Sequence, residues 1–188
     1  MDRARRQAKS IAITGTNHYA NQARVEFSKQ NLDVIKGYEF VAVLDSRTSQ
    51  QCRSLDGRKF KADDPRLSQF TPPLHPNCRS TLVYDVDERF TIADEDTNRA
   101  SRFRVDGKLD PKQVNSNKTY YEVMKGLSAA DQDAILGPSL GKAFRKLDNP
   151  TEFAKLTIDS LGNPLTLTEI KKRDNALSRI LNKQSQGG

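Results

Sequence analysis

The chain predicts an α+β fold: an N-terminal helix, a small antiparallel sheet with a Cys/His loop at one end, and a helical C-terminal region. Three observations lead there. Apolar side chains recur at helical spacing through the first thirty residues. Two short stretches rich in β-branched and aromatic residues bracket an irregular polar loop. After Lys118, helix caps and breakers follow one another closely.

Within residues 2–31, Ala8, Ile11, Ala12, Tyr19, Ala23 and Phe27 approximate an apolar stripe, with basic residues around it. Gly15, set between Thr14 and Thr16, weakens the middle and predicts a kink or break there. His18 stands alone and reads as an ordinary polar or packing residue. Gly37 punctuates, and residues 38–44 (YEFVAVL) form the strongest strand signal. Residues 48–55 suit a short helix capped by Thr48 or Ser49, Asp56-Gly57 turns the chain, and residues 58–61 suit a second short strand. The polar, proline-bearing run 62–73 predicts an exposed loop. Residues 79–86 (RSTLVYDV) alternate as a strand antiparallel to the first. Residues 88–117 read as a polar arm with little structure of its own, whose Phe90, Ile92, Phe103, Val105 and Leu109 are too sparse for a core. Helices then follow over 118–136, with Ser128 as an N-cap and Gly137-Pro138 as a stop, over 139–147, and from Asn149 onward. Gly162-Asn163-Pro164 breaks the chain, and 166–181 predicts a closing amphipathic helix. The predicted domains are a core over 1–86, an arm over 87–117, a helical region over 118–183 and a disordered tail over 184–188.

Composition limits the function classes. Only 35% of the 188 residues are hydrophobic and there is no tryptophan. Such a chain buries one modest core and leaves helices to pack on a partner or stay solvated. No apolar run approaches the roughly 18 residues of a membrane span, and the N-terminus lacks a signal peptide's apolar segment, so a soluble intracellular protein is expected. The net charge of +7 favours polyanionic neighbours. The charge clusters in two places, Arg3, Arg5 and Arg6 near the start and Lys171, Lys172 and Arg173 near the end. Both clusters are candidates for salt-dependent, sequence-independent contact with DNA phosphates. No base-reading motif accompanies them.

The chemistry concentrates in residues 45–79 (DSRTSQQCRSLDGRKFKADDPRLSQFTPPLHPNCR), which hold both cysteines and one of the two histidines. His75 and Cys78 are three apart in H-P-N-C, so one tight turn can aim both at a point that Cys52 also reaches. Several readings stay open. A structural zinc would use Cys52, His75 and Cys78, with Asp45 or Asp56 as fourth ligand. A metal-free core would bury the two thiols, with Asp56-Gly57 as a turn and Arg79 pairing with Asp45. A catalytic reading makes Cys52 a nucleophile with His75 as base, or His75 an activator of water beside a divalent ion. The nucleophile version, with Asp45 or Asp56 as orienting group, has no oxyanion-hole signature, and neither version has a substrate pocket visible in the sequence.

D-S-R-T-S-x-x-C-R-x-L-D-G-R-x-F followed by P-P-L-H-P-N-C-R-S resembles the signature of the Mu F-like phage head morphogenesis family, the minor head proteins of tailed phages. The resemblance extends back through Gly37-Tyr38-Glu39-Phe40-Val41 and Ala20-Asn21-Gln22-Ala23-Arg24. It continues more weakly into Thr119-Tyr120-Tyr121-Glu122, Ile135-Leu136-Gly137 and Pro164-Leu165-Thr166-Leu167. It implies a non-enzymatic, low-copy head component that contacts the portal protein and the major capsid protein. Such a component resides in the virion after assembly in the host cytoplasm and serves head assembly or DNA delivery. Two departures matter. Ser49 and Ser80 stand where many members carry further cysteines, so a four-cysteine zinc site is closed to this chain. Relatives also extend further ahead of the signature, which makes a shortened or split form the expectation here.

Overall fold

A computed structural model describes residues 2–90 and 97–173. The fold is mixed α+β: a long N-terminal helix, small antiparallel sheets and a helical C-terminal region. Contacts divide the chain into two units, residues 1–43 with 56–96, and residues 44–55 with 97–188.

The first unit begins with α1 (Arg3–Lys29), capped by the Asp2 carboxylate on the Ala4 N–H at 3.2 Å. It runs through Gly15 without the expected break. The physical reason lies in its attachments rather than its propensity. Thr14 Oγ1 donates to Ser10 O at 2.7 Å, and side chains on either side of Gly15 tie the helix to Asn77 and Cys78, just ahead of the strand that begins at Thr81. That sheet has the order β2-β1-β3, with β1 (Ile35–Val41) central and antiparallel to both β2 (Lys59–Lys61) and β3 (Thr81–Val86). β2 and β3 lie within the predicted 58–61 and 79–86, whereas β1 runs three residues earlier than the predicted 38–44 and takes in Gly37. Tyr38, Phe40, Phe60 and Leu82 are buried on them.

Two expectations for this unit fail. Residues 62–73 are not simply an exposed loop, because α3 (Leu67–Phe70) buries both Leu67 and Phe70. Phe70 stacks on Phe60 with ring centroids 5.0 Å apart, and the Arg58 guanidinium lies 4.4 Å above the Phe70 ring. Partial burial lowers the Arg58 pKa, with nearby Arg66 adding to the effect. The second failure concerns α1. An apolar stripe ordinarily marks a helix's buried face, yet Ile11, Tyr19 and Phe27 are exposed, while Asn21 and Ser28 are the buried residues.

In the second unit, α2 (Gln50–Leu55) packs with α4 (Tyr120–Lys125) and α7 (Pro150–Leu156). Around them are β4 (Asn98–Val105), β5 (Lys108–Asn115), α5 (Ala129–Leu136), α6 (Pro138–Leu147) and α8 (Leu167–Arg173). The core joins Leu44, Phe103, Tyr120, Tyr121, Met124, Leu136, Leu140, Ala143, Phe144, Phe153 and Ile170. Edge-on aromatic contacts, Tyr121 to Phe153 at 5.1 Å and Phe144 to Phe153 at 5.0 Å, knit its centre. The caps follow the sequence. Ser128 accepts from the Asp131 N–H at 3.2 Å, and Asn149 accepts from the Glu152 N–H at 3.1 Å.

The expected unstructured arm is corrected. β4 and β5 form an eight-pair antiparallel hairpin, turned by Asp106 (φ 50°) and Gly107 (φ 75°) between paired Val105 and Lys108. Positive φ at both central residues of a two-residue loop is what strand twist favours, and Asp-Gly supplies it at low strain. Phe103 is a core residue, whereas Phe90 and Leu109 are exposed. Ile92, the closing helix beyond Arg173 and the tail over 184–188 lie outside the described residues. No helix among the described residues is long and apolar enough to cross a membrane.

Gly37 tests the sheet. A Cβ built there would stand 2.1 Å from the Phe60 carbonyl oxygen on β2. Gly37→Ala must therefore push β2 off β1. It is expected to destabilise by at least the roughly 1–3 kcal/mol of an overpacked core, read as a lowered denaturant midpoint. Gly107→Ala, on the exposed hairpin tip with nothing within 4 Å of its Cβ, should show only the smaller strain of its positive φ.

Candidate metal centre

The H-P-N-C segment is a reverse turn. The Cys78 N–H donates to His75 O at 3.1 Å, closing a four-residue turn with Pro76 in its second place and Asn77 at φ 59° in its third. Proline pre-sets the second position and asparagine tolerates the left-handed third, so the four letters encode their own geometry. His75 Nδ1 lies 3.0 Å from Pro76 O. A carbonyl only accepts, so this contact places a proton on Nδ1. That is the arrangement by which a backbone carbonyl orients a metal-binding imidazole.

Helix α1 grips this turn and the strand after it. Asn77 N–H donates to Thr14 Oγ1 at 3.0 Å. Asn17 Nδ2 donates to Cys78 O at 2.6 Å and to Ser80 O at 3.1 Å. One turn on, the fully buried Asn21 accepts at Oδ1 from the Leu82 N–H at 2.9 Å and from Thr81 Oγ1 at 3.1 Å. Its own Nδ2 donates back to Asn17 O at 2.9 Å, and also to Asn17 Oδ1. Further along, Arg24 O accepts from the Tyr84 hydroxyl at 3.1 Å, and Ser28 bonds the Tyr38 hydroxyl. Burial raises the Tyr84 pKa. Asn17 and Asn21 were not singled out in the sequence, although the four-residue spacing of two amides on a helix was a legible signal.

The remaining sequence-predicted residues divide clearly. Asp56 is buried and accepts from the Ala42 N–H at 2.6 Å, while Gly57 (φ 79°) donates to Phe40 O at 2.8 Å. The D-G pair is thus a structural turn that fixes the chain beside β1. Asp45 caps its own local turn, accepting from the Arg47 N–H at 3.0 Å and from Thr48 Oγ1 at 3.1 Å, and its carbonyl accepts from the Tyr120 hydroxyl at 2.8 Å. Burial pushes the Tyr120 pKa well above its ordinary value. Arg79 is exposed. Arg3, Arg5 and Arg6 are exposed on the first turn of α1, and Lys172 and Arg173 are exposed on α8 beside half-buried Lys171. Arg173 also donates to Ile158 O at 2.6 Å.

Cys52, His75 and Cys78 come together: one ligand atom from each lies within 4.8 Å of the others, with both cysteines buried. Asp45 and Asp56 are not members of this group. Tetrahedral zinc at about 2.3 Å from sulfur sets its ligand atoms roughly 3.8 Å apart, and none of the three separations here exceeds 4.8 Å. Two soft sulfurs and one imidazole suit zinc over a hard cation. The group could hold a metal, with a fourth position still to be filled.

Residues 1–83 match the family model described as Phage Mu protein F like protein, so this stretch is Mu F-like, in agreement with the signature. No curated protein and no solved structure gives a significant match to the chain.

Two substitutions test the turn and its clamp. Asn77→Ala should cost about 1–2 kcal/mol for a non-glycine residue without a local hydrogen-bonding side chain in the left-handed region, while Asn77→Gly should be close to neutral. Asn21→Leu should cost about 1–3 kcal/mol, because the Leu82 N–H loses its acceptor, whereas exposed Gln22→Ala should change little. Urea unfolding of the four variants gives the comparison.

Proposed function

We propose that the chain is a non-enzymatic minor head protein that acts in phage head morphogenesis through contacts with the portal protein and the major capsid protein. The observation that carries this reading is the Mu F-like match over residues 1–83, which covers α1, β1, β2, the H-P-N-C turn and the first half of β3. The virion is the site of action that this family membership implies, after assembly in the host cytoplasm. Arg3, Arg5, Arg6, Lys171, Lys172 and Arg173 would add non-specific contact with packaged DNA, weakening as salt rises. Heads purified from a producing strain should contain the chain by mass spectrometry, and tagged portal protein should retain it. A chain found only free in lysate, with normal heads formed in its absence, would overturn the proposal.

Within this role the Cys/His group is a structural zinc site, with Cys52, His75 and Cys78 as ligands. Two thiolates and an imidazole close on one ion, and binding contributes folding free energy to a loop with few apolar residues. Purified under reducing conditions, the protein should carry about one zinc per chain. Cobalt substitution should give thiolate charge-transfer bands that vanish in Cys78→Ser. Chelation should lower the melting temperature. A metal-free protein of unchanged stability would remove zinc from the account and leave the head role intact.

The proximity of Cys52 to His75 also favours one second reading, a head-carried cysteine hydrolase or metal-dependent nuclease. Under the structural reading, Cys52→Ser in zinc-free protein abolishes no turnover. A hydrolytic activity of the wild type that disappears in a folded Cys52→Ser variant would favour the enzyme.

A further inference from the structure

Helix α1 is amphipathic in the reverse of the usual sense. Asn21, Arg24 and Ser28 bond to the sheet, and Thr14 and Asn17, on the same side of the helix, bond to the turn segment just ahead of β3. At about 100° per residue, Ala8, Ala12, Gly15, Tyr19, Ala23 and Glu26 then fall on roughly the opposite side, with Ile11 at one margin and Phe27, whose ring also lies 6.0 Å from that of Tyr84 on β3, at the other. Ile11 is 73% exposed, Tyr19 75% and Phe27 55%. A Cβ at Gly15 would meet nothing within 4 Å. Scattered exposed apolar residues need no explanation, but three large ones aligned with small ones along a 27-residue helix do.

The order of large and small residues identifies what covers them. Reversing the helix about residue 17 sets Tyr19 against Gly15, and the same midpoint sets Ile11 against Ala23. Phe27 then falls level with Gln7, one residue from Ala8. A shared midpoint is what a two-fold axis demands, since each contact must occur twice. In the reversed arrangement Glu26, the single acid within this helix, falls level with Ala8 and one residue from Lys9, while Lys29, 2.6 Å from Glu26 in its own chain, falls level with Arg5. A parallel arrangement would oppose Tyr19 to Tyr19 and Glu26 to Glu26.

We propose that α1 packs antiparallel on α1 of a second copy of this chain, about a two-fold axis level with residue 17, burying Ile11, Tyr19 and Phe27. The exposed parts of these three side chains offer roughly 400 Å² per copy. With the alanines, Gly15 and the flanking aliphatic stems, the pair approaches the roughly 1,200 Å² at which specific interfaces begin. Opposed glycine and tyrosine let the axes approach closely while the rings lie over the opposite backbone. This inference stands apart from the head-assembly reading.

The test uses the full chain in sedimentation equilibrium across the micromolar range. A concentration-dependent dimer is expected. Tyr19→Lys should return it to monomer with an unchanged melting temperature for the subunit fold, because Tyr19 is exposed in the single chain. Gly15→Leu, which fills the proposed hole without meeting a neighbour, should do the same. Orientation is read by mixing: Ile11→Cys chains should crosslink to Ala23→Cys chains under mild oxidation and not to one another. A monomer at every concentration, a dimer indifferent to Tyr19→Lys, or Ile11→Cys chains that crosslink among themselves would each overturn the proposal.

Discussion

The first unit rests on the hydrogen bonds that Asn17 and Asn21 make with backbone between Cys78 and Leu82. Strand β3 has β1 on one side only, so its other edge presents unpaired amides and carbonyls. Such an edge invites pairing with foreign strands or demands water. Here two carboxamides from a helix take the Cys78 and Ser80 carbonyls and the Leu82 amide. A carboxamide suits the task because it carries a donor and an acceptor, and a backbone edge offers both in alternation. Each bond contributes about 1 kcal/mol net when made, and its buried group costs more when left unmade.

That constraint explains why α1 shows a polar face to its own sheet. A helix that docks by amides and hydroxyls cannot also bury an apolar stripe against the same surface. The stripe that the sequence displays is therefore displaced to the far side. The continuous passage through Gly15 has the same origin. Asn77 bonds to Thr14 just before the glycine and Cys78 to Asn17 just after it, so both halves of the helix are registered to one segment. Glycine's penalty of roughly 1 kcal/mol in a helix interior is small against these bonds.

Much of this fold was legible because local letters matched local geometry. H-P-N-C specified its turn, Asp56-Gly57 specified the exit to β2, and Ser128 and Asn149 announced their helices. The β4–β5 hairpin was equally encoded by Val105-Asp106-Gly107-Lys108. It was passed over because its strands are rich in arginine and lysine and only Phe103 and Ser101 are buried on them. Alternation of apolar residues is a poor guide when one hairpin face carries a single large apolar anchor. The buried Leu67 and Phe70 were hidden for another reason: two large apolar residues in the twelve of the polar segment 62–73 are too few to define a period. The role of Asn17 and Asn21 was invisible to hydrophobic pattern because amides hold that face.

The cysteine–histidine group depends on more of the chain than its signature. Cys52 sits on α2, and that short helix takes its anchorage from the C-terminal region. Gln50 donates to the Thr157 carbonyl at 2.8 Å and to the Leu165 carbonyl at 3.1 Å. Ser54 bonds the Thr157 hydroxyl at 2.7 Å and the Tyr121 hydroxyl at 3.2 Å, and Arg53 donates to the Ile135 carbonyl at 3.2 Å. Six residues of helix cannot sustain themselves, since nucleation alone outweighs so few backbone bonds. Order at Cys52 thus requires order at Tyr121, Ile135, Thr157 and Leu165, all beyond the Mu F-like stretch that ends at residue 83. A ligand that stabilises the thiolate at Cys52 must by linkage stabilise those helices as well. The C-terminal region is therefore what orders Cys52.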